Sequence, residues 1–160
     1  VDFTRPYAET GTTLVTHTET TRDVASLEDL NGDDITIGAV AETTNADLAR
    51  RLFNEAALET FPSSQAAEAA VLAGDLHAYV TTVPEARFLV LAHPDVVDLP
   101  LVKPLLTAKE GIAVRRGEDA WRTFLNAWIT AREADKWLAT AHSYWFDSLE
   151  WTDRVQTPPQ

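Results

Sequence analysis

Cysteine is absent from all 160 residues, which removes disulfide frameworks, thiolate metal sites and cysteine nucleophiles together. The redox compartment stays open, because such an absence fits oxidising and reducing surroundings alike. Methionine is absent too, position 1 included, so Val1 is not expected to be where translation starts and the sequence reads as a processed or cut piece. No basic-then-apolar leader precedes Asp2-Phe3-Thr4. Cations are scarce and scattered: 13 Lys and Arg stand against 25 Asp and Glu, a net charge of -12. A surface that follows a phosphate backbone is not expected from them, which excludes nucleic acid as a partner. No apolar run approaches the ~20 residues of a membrane span. There is no Gly-rich phosphate loop and no Gly-x-Ser-x-Gly elbow, and nothing in the order of Asp, His and Ser nominates a triad. His17, His77, His93 and His142 lack the i, i+4 spacing with a third donor that a metal site needs, so neither metal nor cofactor is expected.

What is present is 45% apolar residues, enough for one compact domain or one lobe of a larger protein. Thr12 to Thr18 is rich in β-branched residues and follows a glycine, which predicts a strand. Ser26 with Glu28 and Asp29 behind it predicts a capped single helical turn, ended by Asn31-Gly32. Ile35 to Val40 predicts a short buried strand leading through Glu42 and Thr43 into a helix with Leu48, Leu52 and Phe53 on one face. Leu58 to Phe61 predicts a strand, and Ser63 or Ser64 caps a helix with an Ala67, Ala70, Val71 stripe that ends at Gly74. His77 to Val80 predicts another strand, and Thr81-Thr82 a cap for a helix with Pro84 in its first turn, where a missing N–H costs nothing. Val96 to Leu101 predicts one more strand. This alternation predicts an α/β fold with a parallel sheet covered by helices on both faces.

After a further strand at Ile112 to Val114, two amphipathic helices are predicted. One aligns Trp121, Phe124, Leu125, Trp128 and Ile129, the other Trp137, Leu138, Ala141, Tyr144 and Trp145. Such aromatic stripes are core by default, each large aromatic contributing roughly 1.5 to 3 kcal/mol at full burial. If nothing in the chain covers them, self-association through them is expected. Gln156 to Gln160, with two prolines, reads as a frayed end.

The ordered stretches Val1 to Tyr7, Leu27-Glu28-Asp29-Leu30-Asn31-Gly32, Thr43-Thr44-Asn45 opening a helix, Ala73-Gly74-Asp75-Leu76-His77-Ala78 and the closing Trp145 resemble the amino-acid family (family 3) of periplasmic solute-binding proteins. The resemblance covers nearly the whole chain and implies a periplasmic-binding-protein type II lobe, with a mostly parallel sheet flanked by helices plus two C-terminal amphipathic helices. It implies that residues 1–18 hold the end of a first lobe and a hinge strand and 19–105 the second lobe. Residues 106–151 would be a return hinge and helices that pack on the first lobe, and 152–160 a tail. Thr44-Asn45 with Leu48-Ala49-Arg50, and Glu85-Ala86-Arg87 followed by His93-Pro94, are similar to the subset of cyclohexadienyl (prephenate or arogenate) dehydratases. In those enzymes a carboxyl at the position of Glu85 is important for catalysis. The sequence departs from the family at three places: Glu42-Thr43 replaces a glycine pair or Gly-Thr, His77 an Asp, and Thr82 the Asp that pairs with a ligand ammonium.

Read residue by residue, Thr43, Thr44 and Asn45 lie where a strand meets a helix, and free N–H groups there attract an anion such as a ligand carboxylate. The plainer reading is that Thr44 caps its own helix. The direction of Glu42 is open. Glu85 is either an acid favoured by the start of its helix or a general acid reaching over the strand ends into a cleft, with Thr82 beside it. Arg87, two residues on, does not share its face. His77 is expected to be a satisfied half-buried imidazole.

The resemblance implies an extracytoplasmic protein, periplasmic, secreted or lipid-anchored. It would capture a small carboxylate-bearing solute, an amino or keto acid, and deliver it to the permease of an ABC importer. Ligand-binding residues would be Thr43, Thr44, Asn45, Thr82 and Glu85. The alternatives are a dehydratase-type carbon–oxygen lyase with Glu85 as catalytic residue, and the ligand-sensing domain of a receptor.

Overall fold

The computed structural model describes residues 1–152. Of the expected 152–160 tail only Thr152 is described, its N–H closing a turn on the Leu149 carbonyl, and the frayed end at 156–160 lies outside the described residues. In chain order the elements are β1 (Asp2–Phe3), β2 (Ala8–His17), a 3-10 turn (Glu28–Asn31), β3 (Thr36–Val40), α1 (Thr44–Leu52), β4 (Ala57–Phe61), α2 (Ser64–Ala73), β5 (Ala78–Thr82), α3 (Val83–Ala92) and β6 (Val97–Asp98). They continue with β7 (Leu106–Glu110), β8 (Ala113–Val114), α4 (Asp119–Ala134) and α5 (Trp137–Phe146). The chain divides into two compact units, one made of Thr12–Leu106 and the other of Val1–Gly11 together with the stretch from Thr107 onward.

The continuous unit is built on a sheet in the order β4-β3-β5-β2-β6, with β7 also paired to β2. β3 runs parallel to β4 and β5, whereas β2 is antiparallel to both β5 and β6. The sheet is therefore mixed: β4, β3 and β5 run parallel, and β2 is a reversed strand inserted between β5 and β6. The reversal was not readable from alternating strands and helices, because β2 enters ahead of the first helix and owes its neighbours to no crossover connection.

Strand alternation sends side chains to two faces. Leu14, Ile37, Ala39, Ala78 and Val80 form one core with Ala46, Ala49 and Phe53 of α1 and its end. Val15, Tyr79 and Val97 form the other with Ala67 and Val71 of α2 and Ala86 and Leu89 of α3. Helices thus cover both faces. At Gly38 a Cβ would lie 2.4 Å from Leu76 Cδ1, so only glycine lets Leu76 close over β3 on the second face.

Local chemistry sets the helix ends. Thr43, Ser63 and Thr82 are the N-caps of α1, α2 and α3, each accepting a backbone N–H three residues on. Gly74 ends α2 at φ 79°, a left-handed conformation that favours glycine. The strand predicted over Val96 to Leu101 shrinks to Val97–Asp98, because Pro100 has no N–H to extend a ladder. β7, whose residues are all exposed, carries no apolar pattern and was not foreseen.

In the other unit β1 pairs antiparallel with β8, Asp2 opposite Val114 and Phe3 opposite Ala113. Arg5 binds Glu133 at 2.8 Å and the Thr130 hydroxyl at 2.6 Å, and its N–H reaches Asn126 at 2.8 Å, which ties the first residues to α4. α4 and α5 form a helical hairpin turned by Lys136 at φ 63°. Ile129 is the buried residue of this pair, while Trp121 and Phe124 stay more than half exposed. Those two rings stack on each other at 5.2 Å, and Trp128 meets Trp137 edge-on at 5.7 Å.

Candidate functional site

β3 leads through α1 to β4 on one side, and β4 leads back through α2 to β5 on the other. The carboxyl ends of β3 and β5 are therefore a topological switch point, the place where open α/β sheets bind ligands. Four of the five expected site residues gather along this edge.

Thr43 is the cap of α1. Its hydroxyl accepts from the Ala46 N–H at 3.2 Å and donates to the Val40 carbonyl at 2.7 Å. The capping role expected for Thr44 thus falls one residue earlier, and Thr44 is exposed in the first turn of α1. With Asp47, Arg50 and Arg51 it lines an open hollow of about 440 Å³, where Arg50 pairs with Asp47 at 2.9 Å. Glu42 is exposed at φ 59°, a conformation that suits the glycine the family would place there.

Asn45 is oriented by a residue that sequence reasoning missed. Its side-chain oxygen accepts from the hydroxyl of buried Thr12 at 2.7 Å, and Thr12 in turn lies opposite Thr82 in the β2–β5 ladder. Thr12, Asn45 and Thr82 so form a polar trio from three elements. A β-branched Thr in a strand carries no local sign of this role, because its partners are 33 and 70 positions away in the chain. Thr82 caps α3 by accepting from the Glu85 N–H at 3.4 Å.

Glu85 departs from the rest. Its carboxylate accepts the hydroxyl of buried Thr81, and it also faces Glu68 of α2. Thr81 shares its sheet face with Tyr79, the face covered by α2 and α3, whereas Val80 and α1 belong to the other. The Glu68 carboxyl is pushed above the usual carboxylate range, first by burial and then by the charge and hydrogen bond of Glu85, against a smaller opposing pull from His93. Tyr79 is raised chiefly by burial.

The imidazole of His77 accepts the Thr36 N–H at 3.0 Å, so its polar edge is engaged. Among the described residues no three His, Cys, Asp or Glu side chains converge on a metal position. No helix among them is long and apolar enough to cross a membrane.

Solved structures share this architecture. An ancestral cationic amino-acid solute-binding protein superposes with a TM-score of 0.80 at 26% identity, over 91% of this chain and 62% of its own. The fold is that of a type II periplasmic solute-binding protein. A binding component of an ABC transporter from Wolinella succinogenes, complexed with lysine, superposes on this solute-binding fold with a TM-score of 0.79 at 22% identity, over 96% of this chain and 66% of its own. An ancestral cyclohexadienyl dehydratase does so with a TM-score of 0.56 at 23% identity, over 92% and 61%. The chain therefore spans about three fifths to two thirds of the length of these solved structures. No protein-family model and no curated protein sequence matches it.

Proposed function

We propose that the chain carries the second lobe of an extracytoplasmic solute-binding protein that captures a small carboxylate-bearing solute and delivers it to the permease of an ABC importer. In this reading residues 1–18 end a first lobe and lead out through a hinge strand, 19–105 are the second lobe, and 106–151 return to the first. The observation that supports it most is the α1 start at the switch point: Thr43 uses its hydroxyl on Ala46, so the amides of Thr44 and Asn45 stay directed at an incoming anion. Thr12 holds the Asn45 carboxamide in place, and Thr82 offers a hydroxyl from the neighbouring strand end.

Binding fits this edge better than lyase chemistry does. A dehydratase would need the Glu85 carboxyl over the strand ends, and that carboxyl is engaged by Thr81 on the face covered by α2 and α3.

Titrating the 15N-labelled chain with millimolar amino, keto and hydroxy acids tests the reading. The amide signals of Thr44 and Asn45 are expected to shift in a saturable way with one chemical class. Asn45→Asp, which sets a negative charge beside them, is expected to weaken that binding at least about tenfold. A panel without any saturable shift at these amides overturns the proposal. Formation of phenylpyruvate from prephenate, lost in Glu85→Gln, would replace it with the lyase.

A further inference from the structure

The polar groups that remain available at the switch-point edge share one polarity, and this bears on which carboxylate the edge would take, given the capture reading on which the inference rests. The Thr12 hydroxyl gives its proton to the Asn45 side-chain oxygen at 2.7 Å. What is left of that carboxamide is its nitrogen, with two N–H donors. Thr43 commits its hydroxyl to the Val40 carbonyl and the Ala46 N–H. The hydroxyl of exposed Thr82 accepts the Glu85 N–H at 3.4 Å and makes no other hydrogen bond among the described residues, so its proton is still there to donate. Together with the first-turn amides of Thr44 and Asn45, these groups make an edge of donors.

The neighbouring carboxylates are held elsewhere. Glu85 turns to the Thr81 hydroxyl on the face covered by α2 and α3. Asp47 pairs with Arg50 at 2.9 Å. Glu42, exposed ahead of the Thr43 cap, makes no hydrogen bond to Thr12, Asn45 or Thr82 among the described residues. An ammonium group leaving water needs acceptors in exchange, and charged ones serve it best. Set among N–H donors at the positive end of a helix, it meets its own polarity. A carbonyl oxygen in the same place meets the opposite: it can accept from the Asn45 nitrogen or the Thr82 hydroxyl while the adjoining carboxylate accepts from the α1 amides. A 2-oxo acid carries only acceptors next to its carboxylate, and a 2-amino acid of the same skeleton carries a cation there.

We propose that this edge selects 2-oxo carboxylates over the 2-amino carboxylates of the same skeleton, with Asn45 and Thr82 setting the preference. Thr12 is a positioning residue: buried in β2, it acts through Asn45, whose oxygen it keeps engaged so that the nitrogen serves the ligand.

Matched pairs titrated into the 15N-labelled 160-residue chain at neutral pH read the selectivity: pyruvate against L-alanine, 2-oxoglutarate against L-glutamate, and phenylpyruvate against L-phenylalanine. In every pair that shifts the Thr44 and Asn45 amides in a saturable way, the oxo acid is expected to bind at least about fivefold more tightly. Thr82→Asp keeps a good helix cap, so the fold is retained, and adds a carboxylate at the strand end. It is expected to reverse the order within the same pairs. Thr12→Val keeps the shape of the side chain and releases the Asn45 carboxamide, which should bring the two members of a pair within about twofold, whereas a merely structural role would weaken both alike and leave their ratio unchanged. An amino acid bound as tightly as its oxo acid, an unchanged order in Thr82→Asp, or an unchanged ratio in Thr12→Val would each overturn the proposal while the capture of a carboxylate stands. The absence of any saturable shift with all six compounds would overturn both.

Discussion

At the scale of single residues, the start of α1 is held by a side-chain cap and entered through a left-handed residue. Thr43→Val keeps the shape of the side chain and removes its hydroxyl, so it should lower stability by about 1 kcal/mol in urea unfolding. Glu42 holds a left-handed conformation, and Glu42→Gly should raise stability by up to about 1 kcal/mol in the same measurement. Asp29 gives a pH signature. Its carboxylate accepts the N–H groups of Ala25 at 3.0 Å and Ser26 at 2.9 Å, which hold it below the usual carboxylate range of 3.8. A depressed acid contributes stability that is present above its unfolded value and lost as pH falls through the folded one. The Ala25 and Ser26 amide signals should therefore hold their positions to a pH below the ordinary titration of Asp and then move together, while Asp29→Asn makes them insensitive to pH. Most of these residues were legible: Thr-Thr-Asn before an apolar period announces a capped helix, and the sequence erred by one position in assigning the cap. The orientation of Asn45 by Thr12 was not legible, since it depends on which strands become neighbours. Nor was the turn of Glu85 toward Thr81, which follows from the face its strand neighbour occupies.

At the scale of elements, the helices were readable because caps and period-3.6 stripes are local, and α2 and α3 begin and end within a few residues of where Ser63, Gly74 and Pro84 set them. Strands depended on how much apolar pattern they carried. β3 announces itself with Ile37 and Ala39, whereas β7 reads Leu-Thr-Ala-Lys-Glu, exposed throughout and unrecognisable as a strand. The direction of β2 was equally hidden, because a strand's hydrophobic pattern is the same read either way. Close packing between β3 and the residues entering β5 yields a sharp test. In Gly38→Ala the new methyl would meet Leu76 at 2.4 Å with Phe61 at 3.4 Å behind it. Overpacking of that kind should cost about 1 to 3 kcal/mol, read as a lower urea midpoint with an unchanged slope.

At the scale of the whole molecule, the aromatic faces of α4 and α5 were expected to be buried or shared, and among the described residues they are largely exposed. Trp121 at 53% and Phe124 at 55% present a stacked pair to solvent. Soluble proteins seldom leave such a patch uncovered. Sedimentation of the chain should show concentration-dependent association, accompanied by a blue shift of tryptophan emission, and Trp121→Glu should shift it toward monomer and lose that blue shift. The solved structures that share this fold are longer than this chain.

The path of the chain between its two units carries one more consequence. Both passages, at Gly11–Thr12 and at Leu106–Thr107, are made inside strands, β2 and β7, and those two strands pair with each other. Thr12–Leu106 is thus a cassette whose entrance and exit share one ladder. Its two ends can therefore be joined, and new termini opened elsewhere in the cassette, without moving the start of α1.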